Sequence, residues 1–167
     1  VTRIDVKSAS NMLSAVTGRA QAASIFIATA AVADWRPADP SLQKIKKDGS
    51  GQTPQLAFTE NTDILASVAC SPAAQAGQLF CVGFAAESHD LLENAQAKRL
   101  RKQVPLLVGN IGPDTFGQDD NALLLIDAQG SLELPRASKR LLARQLVGEI
   151  SCRMQNHVPP GQNAATL

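Results

Sequence analysis

The sequence is short of the residues on which most metal and thiol chemistry depends. It holds three cysteines and two histidines in 167 residues. Cys70, Cys81 and Cys152 are widely spaced, odd in number and form no CxxC pair, and neither His89 nor His157 stands at a ligand-like spacing from them. Cys81 lies inside the apolar run "LFCVGF", a poor setting for a nucleophile, so the expectation is free thiols in a reducing compartment. No metal-ligand set is assigned. Glycine signatures are missing too. There is no GxGxxG, no GxxxxGK[ST] and no GxSxG, which leaves any nucleotide to be held without a dinucleotide fingerprint or a P-loop. No apolar run approaches a membrane span, and the first residues show no secretory pattern. The net charge is only +1, which gives no broad footprint for nucleic acid or an anionic membrane surface. A cytoplasmic protein with neither as partner is expected.

What is present has the rhythm of one α/β domain, with 44% hydrophobic residues and enough length to bury a core. "SIFIATAAVA", "QLFCVGFAAE" and "VPLLVGN" are continuous apolar runs of strand length, the pattern of strands buried on both faces of a parallel sheet. "PQLAFTE" reads as a further short strand. Helical stretches alternate with them. "SNMLSAVTG" is capped by Ser10 and turns Met12, Leu13 and Val16 inward, and "NTDILASVAC" is entered at Asn61 or Thr62. "SHDLLENAQAKRLRKQ" is capped by Ser88, with Leu91, Leu92, Ala95 and Leu100 inward. "IGPDTFGQDDN" is a loop, and "ALLLIDAQGSLELP" folds back at "AQGS" as a hairpin. A last helix carries an apolar stripe of Leu141, Leu142, Leu146, Val147 and Ile150. The predicted fold is a Rossmann-like, doubly wound, mostly parallel sheet with a small antiparallel hairpin, spanning residues 1–155, and a flexible tail over 156–167.

In such sheets ligands sit beyond the carboxyl ends of the strands, and every unusual stretch of this sequence follows a strand. Asp34 ends the first run, Phe84 and its neighbours the second, Asn110 the third. Positive charge is local. Lys44, Lys46 and Lys47 share a Pro- and Gly-flanked loop, and Lys98 and Lys102, four apart, project from one helix face. Lysines so placed can bracket a polyanion and cancel charge that develops during transfer, although most charge runs are solvated faces. Asp34 is either a turn former ahead of Pro37 or a carboxylate for a nucleotide sugar or a divalent ion. Phe84 is either core or a platform for a base, and Asn110 either a left-handed turn residue or an amide aimed at a ligand. Gly83, Ala85 and Ala86 would leave room for a ligand near the backbone.

Taken in order, "AAVADWRP", "KIKK", "TENTDIL", "VGFAAES", "KRLRK" and "NALLLID" resemble the bacterial phosphopantothenate–cysteine ligase family, from Val1 to about the end of the last helix. In that family the domain is usually the C-terminal half of a bifunctional coenzyme A biosynthesis protein whose N-terminal half is a flavin-dependent decarboxylase. The resemblance implies a ligase that uses CTP and Mg²⁺ to turn 4′-phosphopantothenate into an acyl-cytidylate, which the amine of L-cysteine attacks, releasing CMP. It implies that Ala28, Ala30 and Ala31 line the nucleotide pocket through backbone groups and that Asp34 binds the nucleotide. Lys44 would be the mobile catalytic lysine. Thr62, Asp63, Ile64, Leu65, Phe84, Lys98 and Lys102 would complete the CTP contacts, and Asn110 is a candidate on the substrate side.

The resemblance also implies a homodimer that exchanges a strand and loop across an interface near the substrate sites. A fused or associated decarboxylase is a further implied partner, and FMN would belong only to it. Two departures stand out. The family's glycine-rich strand–loop–helix, with its "SSG" stretch and an asparagine that holds the acyl-cytidylate, has no counterpart, so the domain is expected to lack its first β-α-β portion. Trp35 replaces the family's tyrosine. Two other readings stay open: a truncated, non-catalytic nucleotide-binding or dimerisation module, and a Rossmann-like nucleotide-dependent oxidoreductase, against which the missing fingerprint counts. The choice of CTP over ATP rests on the resemblance alone.

Overall fold

A five-stranded sheet of order β1-β4-β5-β6-β7 forms the centre of the computed structural model, which describes residues 1–41, 43, 44, 46, 51, 53, 55–111 and 117–157. Its strands are β1 (Ile25–Ala28), β4 (Phe80–Glu87), β5 (Leu106–Ile111), β6 (Asp120–Ile126) and β7 (Ser131–Ser138). β1, β4 and β5 run parallel, and β6 and β7 add an antiparallel hairpin beside β5. This is the Rossmann-like α/β arrangement read from the sequence. The helices are α1 (Ala9–Ala20), α2 (Ile64–Ala69), α3 (Pro72–Gln75), α4 (Leu91–Lys102) and α5 (Lys139–Gln155). A separate antiparallel ribbon pairs β2 (Trp35–Pro37) with β3 (Phe58–Glu60). That ribbon is a finding: "WRP" carries a proline and reads as a chain break, yet an edge ribbon tolerates proline because it needs few ladder donors.

Residues alternate across β4 and β5, so each strand feeds two cores. Phe80, Val82, Leu106 and Val108 pack with Leu142, Leu146 and Ile150 of α5 on one face. Cys81, Ala85 and Leu107 pack with Ile64 and Val68 of α2 and Ala95 of α4 on the other, where Met12, Leu13 and Val16 of α1 also close in. β1 departs from expectation. It is at the edge of the sheet, and Ile25 and Ile27 remain 40% and 41% exposed while Phe26 turns to the core. A continuous apolar run signals burial on both faces only when neighbours cover both, and α5 lies over the β4–β7 side.

Two glycines set how closely the helices sit. A Cβ at Gly83 would lie 2.7 Å from Leu65 Cδ2 and 2.8 Å from Leu107 Cδ1, and one at Gly109 would lie 2.8 Å from Leu91 Cδ1. Gly83 is buried, so the space its missing side chain leaves is taken by two leucines and not by a ligand, contrary to the sequence reading.

Several helix starts also shift. Ser8, not Ser10, caps α1, its Oγ accepting from the Asn11 amide at 3.1 Å. Asp63, not Asn61 or Thr62, caps α2. α4 begins after Asp90, which adopts a left-handed φ of 46° and gives no side-chain cap; Ser88 bonds His89 Nδ1 at 2.8 Å instead. Leu92, Leu100, Leu141 and Val147, expected inward, are exposed, because each helix buries a narrower stripe than its apolar periodicity offers. The hairpin turn at "AQGS" is as predicted. Asp127 Oδ1 accepts from the Gln129 and Gly130 amides at 2.7 and 3.1 Å, while its Oδ2 takes Arg153 Nε of α5 at 2.8 Å. Of the tail expected over 156–167 only Asn156 and His157 are described, the His157 ring meeting Phe80 edge-on at 5.2 Å; residues 158–167 lie outside the described residues.

Candidate functional site

The carboxyl ends of the three parallel strands come together in register. Ala28 of β1 is level with Gly83, and Ala86 of β4 with Asn110 of β5. Asn110 therefore lies inside an extended strand and is not a left-handed turn residue. At the end of β4, alternation turns Ala85 and Glu87 toward α4 and turns Phe84 toward α5, where it packs against the other core. Phe84 and the α4 lysines thus share one end of the sheet but stand on opposite faces of it.

On the α4 face lie two ion pairs, four charges in all. Lys98 Nζ lies 3.7 Å from Glu87 Oε1, and Lys102 Nζ pairs with Asp63 Oδ2. Asp63's other oxygen, Oδ1, accepts from the Ala66 amide at 3.0 Å and caps α2. The spacing of the lysines foretold a shared face but not their partners: Glu87 and Asp63 are brought in by β4 and α2. All four groups are partly withdrawn from water, so their interactions are less screened than those of a surface pair. The quartet is electrically balanced. An incoming polyanion would draw the ammonium groups toward its own oxygens and loosen them from the carboxylates.

Residues 62–65 divide in role. Thr62 is exposed, Ile64 is core at 7% exposure, and Leu65 packs over Gly83, so Ile64 can meet a ligand only through its backbone. Ala28 is half-buried, Ala30 and Ala31 are exposed, and Asp34 is exposed on the segment between β1 and β2. Lys44 and Lys46 are exposed between β2 and β3, while Ile45 and Lys47 lie outside the described residues.

Asn61 was read from sequence only as a helix entry, and it does more. Its Nδ2 donates to Ala33 O at 2.8 Å, its backbone amide to Asp34 O at 2.7 Å, and its Oδ1 accepts from Arg36 Nη1 at 3.0 Å. The same Arg36 nitrogen donates to Glu60 O at 2.7 Å. These bonds hold the Asp34 segment beside the chain that leads into Asp63. The available sequence signal was an Asn just after a strand, which is common; its partners lie 25–28 residues upstream.

Among the described residues no group of three or more His, Cys, Asp or Glu side chains is placed to hold a metal ion. Burial pushes the Cys81 thiol up to about 11, which removes it as a nucleophile. No helix among the described residues is long and apolar enough to cross a membrane. A groove of about 870 Å³ opens at the amino ends of β4 and β5, lined by Arg99, Gln103, Arg153 and His157 among others. It is at the wrong end of the sheet for a ligand of the strand carboxyl ends.

A mostly parallel α/β sheet with helices on both faces defines a Rossmann-like domain. The chain belongs to the family described as DNA/pantothenate metabolism flavoprotein C-terminal domain, whose profile matches residues 1–153. It is 43% identical over 146 residues to the coenzyme A biosynthesis bifunctional protein CoaBC of Vibrio cholerae, covering 86% of this chain and 36% of that protein. The CoaBC protein of Escherichia coli K12 is 40% identical over 157 residues, covering 92% of this chain and 38% of the relative. The chain thus spans a little over a third of the length of these relatives. Among solved structures, the C-terminal domain of a coenzyme A biosynthesis bifunctional protein CoaBC superposes with a TM-score of 0.73 at 26% identity, over 94% of this chain and 68% of that one.

Proposed function

We propose that this domain carries the ligase step of coenzyme A biosynthesis, joining 4′-phosphopantothenate to L-cysteine at the expense of CTP. The observation that carries the reading is 43% identity to a bifunctional CoaBC protein, sustained over 86% of the chain. The chemistry of the site agrees with it. A carboxylate is a poor acyl donor until one of its oxygens joins a good leaving group. In the first step the carboxylate oxygen of 4′-phosphopantothenate attacks the α-phosphorus of CTP and pyrophosphate leaves. In the second, the cysteine amine attacks the acyl carbon, loses a proton and expels CMP. The protein must hold two anions in line and cancel their repulsion, which calls for cations and positioning and not for a nucleophile of its own.

Lys98 and Lys102 supply two such cations at the strand ends, and Lys44 a third from the segment between β2 and β3. Glu87 and Asp63 hold the α4 lysines in place when no phosphate is there to take them. Mg²⁺ arrives with the triphosphate as part of the substrate, which suits a protein that offers scattered carboxylates in place of a cage. A homodimer fits the β2–β3 ribbon, where Trp35 and Phe58 stand 60% exposed on a two-stranded element of little independent stability. The greater length of the relatives fits a flavin-dependent decarboxylase domain on the same polypeptide, with FMN bound there.

The test is release of CMP that requires CTP, 4′-phosphopantothenate and L-cysteine together. The full-length protein is the material for this test, because transition-state stabilisation needs all charge-cancelling groups at once. If the full-length protein runs equally well on ATP or makes no CMP, the reading fails.

A further inference from the structure

We infer that Asn61 is a positioning residue for the nucleotide site, acting through a clamp with Arg36 that fixes the Asp34 segment against the entry to α2. The inference rests on the nucleotide-binding reading above and names the part that sets its geometry. Trp35 pairs with Glu60 at the end of the β2–β3 ladder, so Asp34 and Asn61 form the next pair, and the Asn61 amide continues the ladder to Asp34 O at 2.7 Å. A two-stranded ribbon frays at its ends, and from this end the chain runs back to β1 and on to α2. The Asn61 side chain closes it. One amide group donates to Ala33 O and accepts from Arg36, at 2.8 and 3.0 Å, and Arg36 locks the far side through Glu60 O at 2.7 Å.

The clamp has a direct line to the charged quartet. Two residues beyond Asn61, Asp63 caps α2 and pairs with Lys102, whose helix also carries Lys98 and its partner Glu87. Asn61 holds the Asp34 segment by hydrogen bonds, and the chain runs on from it through Thr62 to Asp63, which meets Lys102 of α4. Only an amide suits this position. Aspartate could accept from Arg36, but it would set a second acceptor against Ala33 O; leucine or alanine would meet neither partner. An Asn holding two strands of a ribbon is an ordinary structural device. What assigns it to the site is that both segments it joins end in groups of the nucleotide cluster, Asp34 on one side and Asp63 on the other.

The experiment measures CTP·Mg²⁺ affinity of the chain by calorimetry, together with amide hydrogen exchange of residue 61 and of β2 without nucleotide. Asn61→Asp and Asn61→Ala should each weaken CTP binding by about tenfold, and exchange at residue 61 and in β2 should quicken by a similar factor as the clamp is lost. Arg153→Ala, at the opposite edge of the sheet, is the control. It removes the bonds to Asp127 and Glu149, lowers the melting temperature, and should leave CTP affinity as it was. Unchanged exchange in both Asn61 variants overturns the clamp whatever the nucleotide does. Faster exchange with wild-type CTP affinity overturns its role in the site, as does an equal loss of affinity in Arg153→Ala. If the wild-type chain takes up no CTP at all, the nucleotide reading falls first and the positioning role with it, while the exchange data still judge the clamp.

Discussion

Replacing Gly83 by alanine adds one methyl group at a close contact between the sheet and α2. That carbon would stand 2.7 Å from Leu65 Cδ2 and 2.8 Å from Leu107 Cδ1, where carbon atoms prefer about 3.5–4.0 Å. Both neighbours are ends of leucine side chains, so they can yield, but Leu107 is fully buried. Overpacking of this kind costs about 1–3 kcal/mol. Against it stands the entropic gain of removing a glycine from the unfolded chain, about 0.4–1 kcal/mol. The net expectation is a loss of about 1–2 kcal/mol, or a drop of roughly 2–8 °C in melting temperature for a domain of this size.

The yielding residue should be Leu65, which is only half-buried and sits in the first turn of α2, two residues after Asp63. Its displacement would shift the cap and the Asp63–Lys102 pair together. Urea unfolding of Gly83→Ala, Leu65→Ala and the double variant measures this directly. The alanine should cost less when Leu65 is already truncated, leaving a coupling energy of about 0.5–1.5 kcal/mol. A Gly83→Ala protein as stable as wild type, or a strictly additive double variant, would falsify the packing account of Gly83.

Three further outcomes are expected. Lys44→Gln in a ligase-active protein should lower turnover by about a hundredfold or more with an unchanged melting temperature, as for loss of one transition-state charge; steady-state kinetics showing normal turnover would remove Lys44 from the mechanism. Iodoacetamide at pH 8 should label Cys70 and Cys152, which are exposed, and spare Cys81, whose thiol pKa of about 11 leaves roughly one molecule in a thousand as thiolate. Mass spectrometry showing native labelling of Cys81 would contradict its burial. Burial beside Phe80 lowers the His157 pKa below its usual 6.5, so the folded chain resists protonation that the unfolded chain accepts. Stability should hold above about pH 6.5 and decline as pH falls through the folded value, and His157→Leu should flatten that slope in pH-dependent unfolding curves.

The sequence by itself determined the elements whose environment is written in their own residues. β4 and β5 are continuous apolar runs because helices cover both their faces, and the turn at Asp127 is legible because an Asx side chain and a glycine make that turn locally. The spacing of Lys98 and Lys102 sufficed to put them on one helix face, since helical geometry is a local property.

Tertiary structure decided whatever depended on a distant neighbour. β1 has the composition of a central strand, but its place at the sheet edge leaves Ile25 and Ile27 exposed. Gly83 looked like an opening for a ligand until Leu65 and Leu107 filled it. The lysines had no partners in the sequence until β4 brought Glu87 and α2 brought Asp63 within reach. Asn61 was legible only as a helix entry until the ribbon set it against Ala33, Asp34 and Arg36. Apolar periodicity and helix spacing are encoded within a few residues, whereas ion pairs, edge position and close packing exist only once remote segments meet.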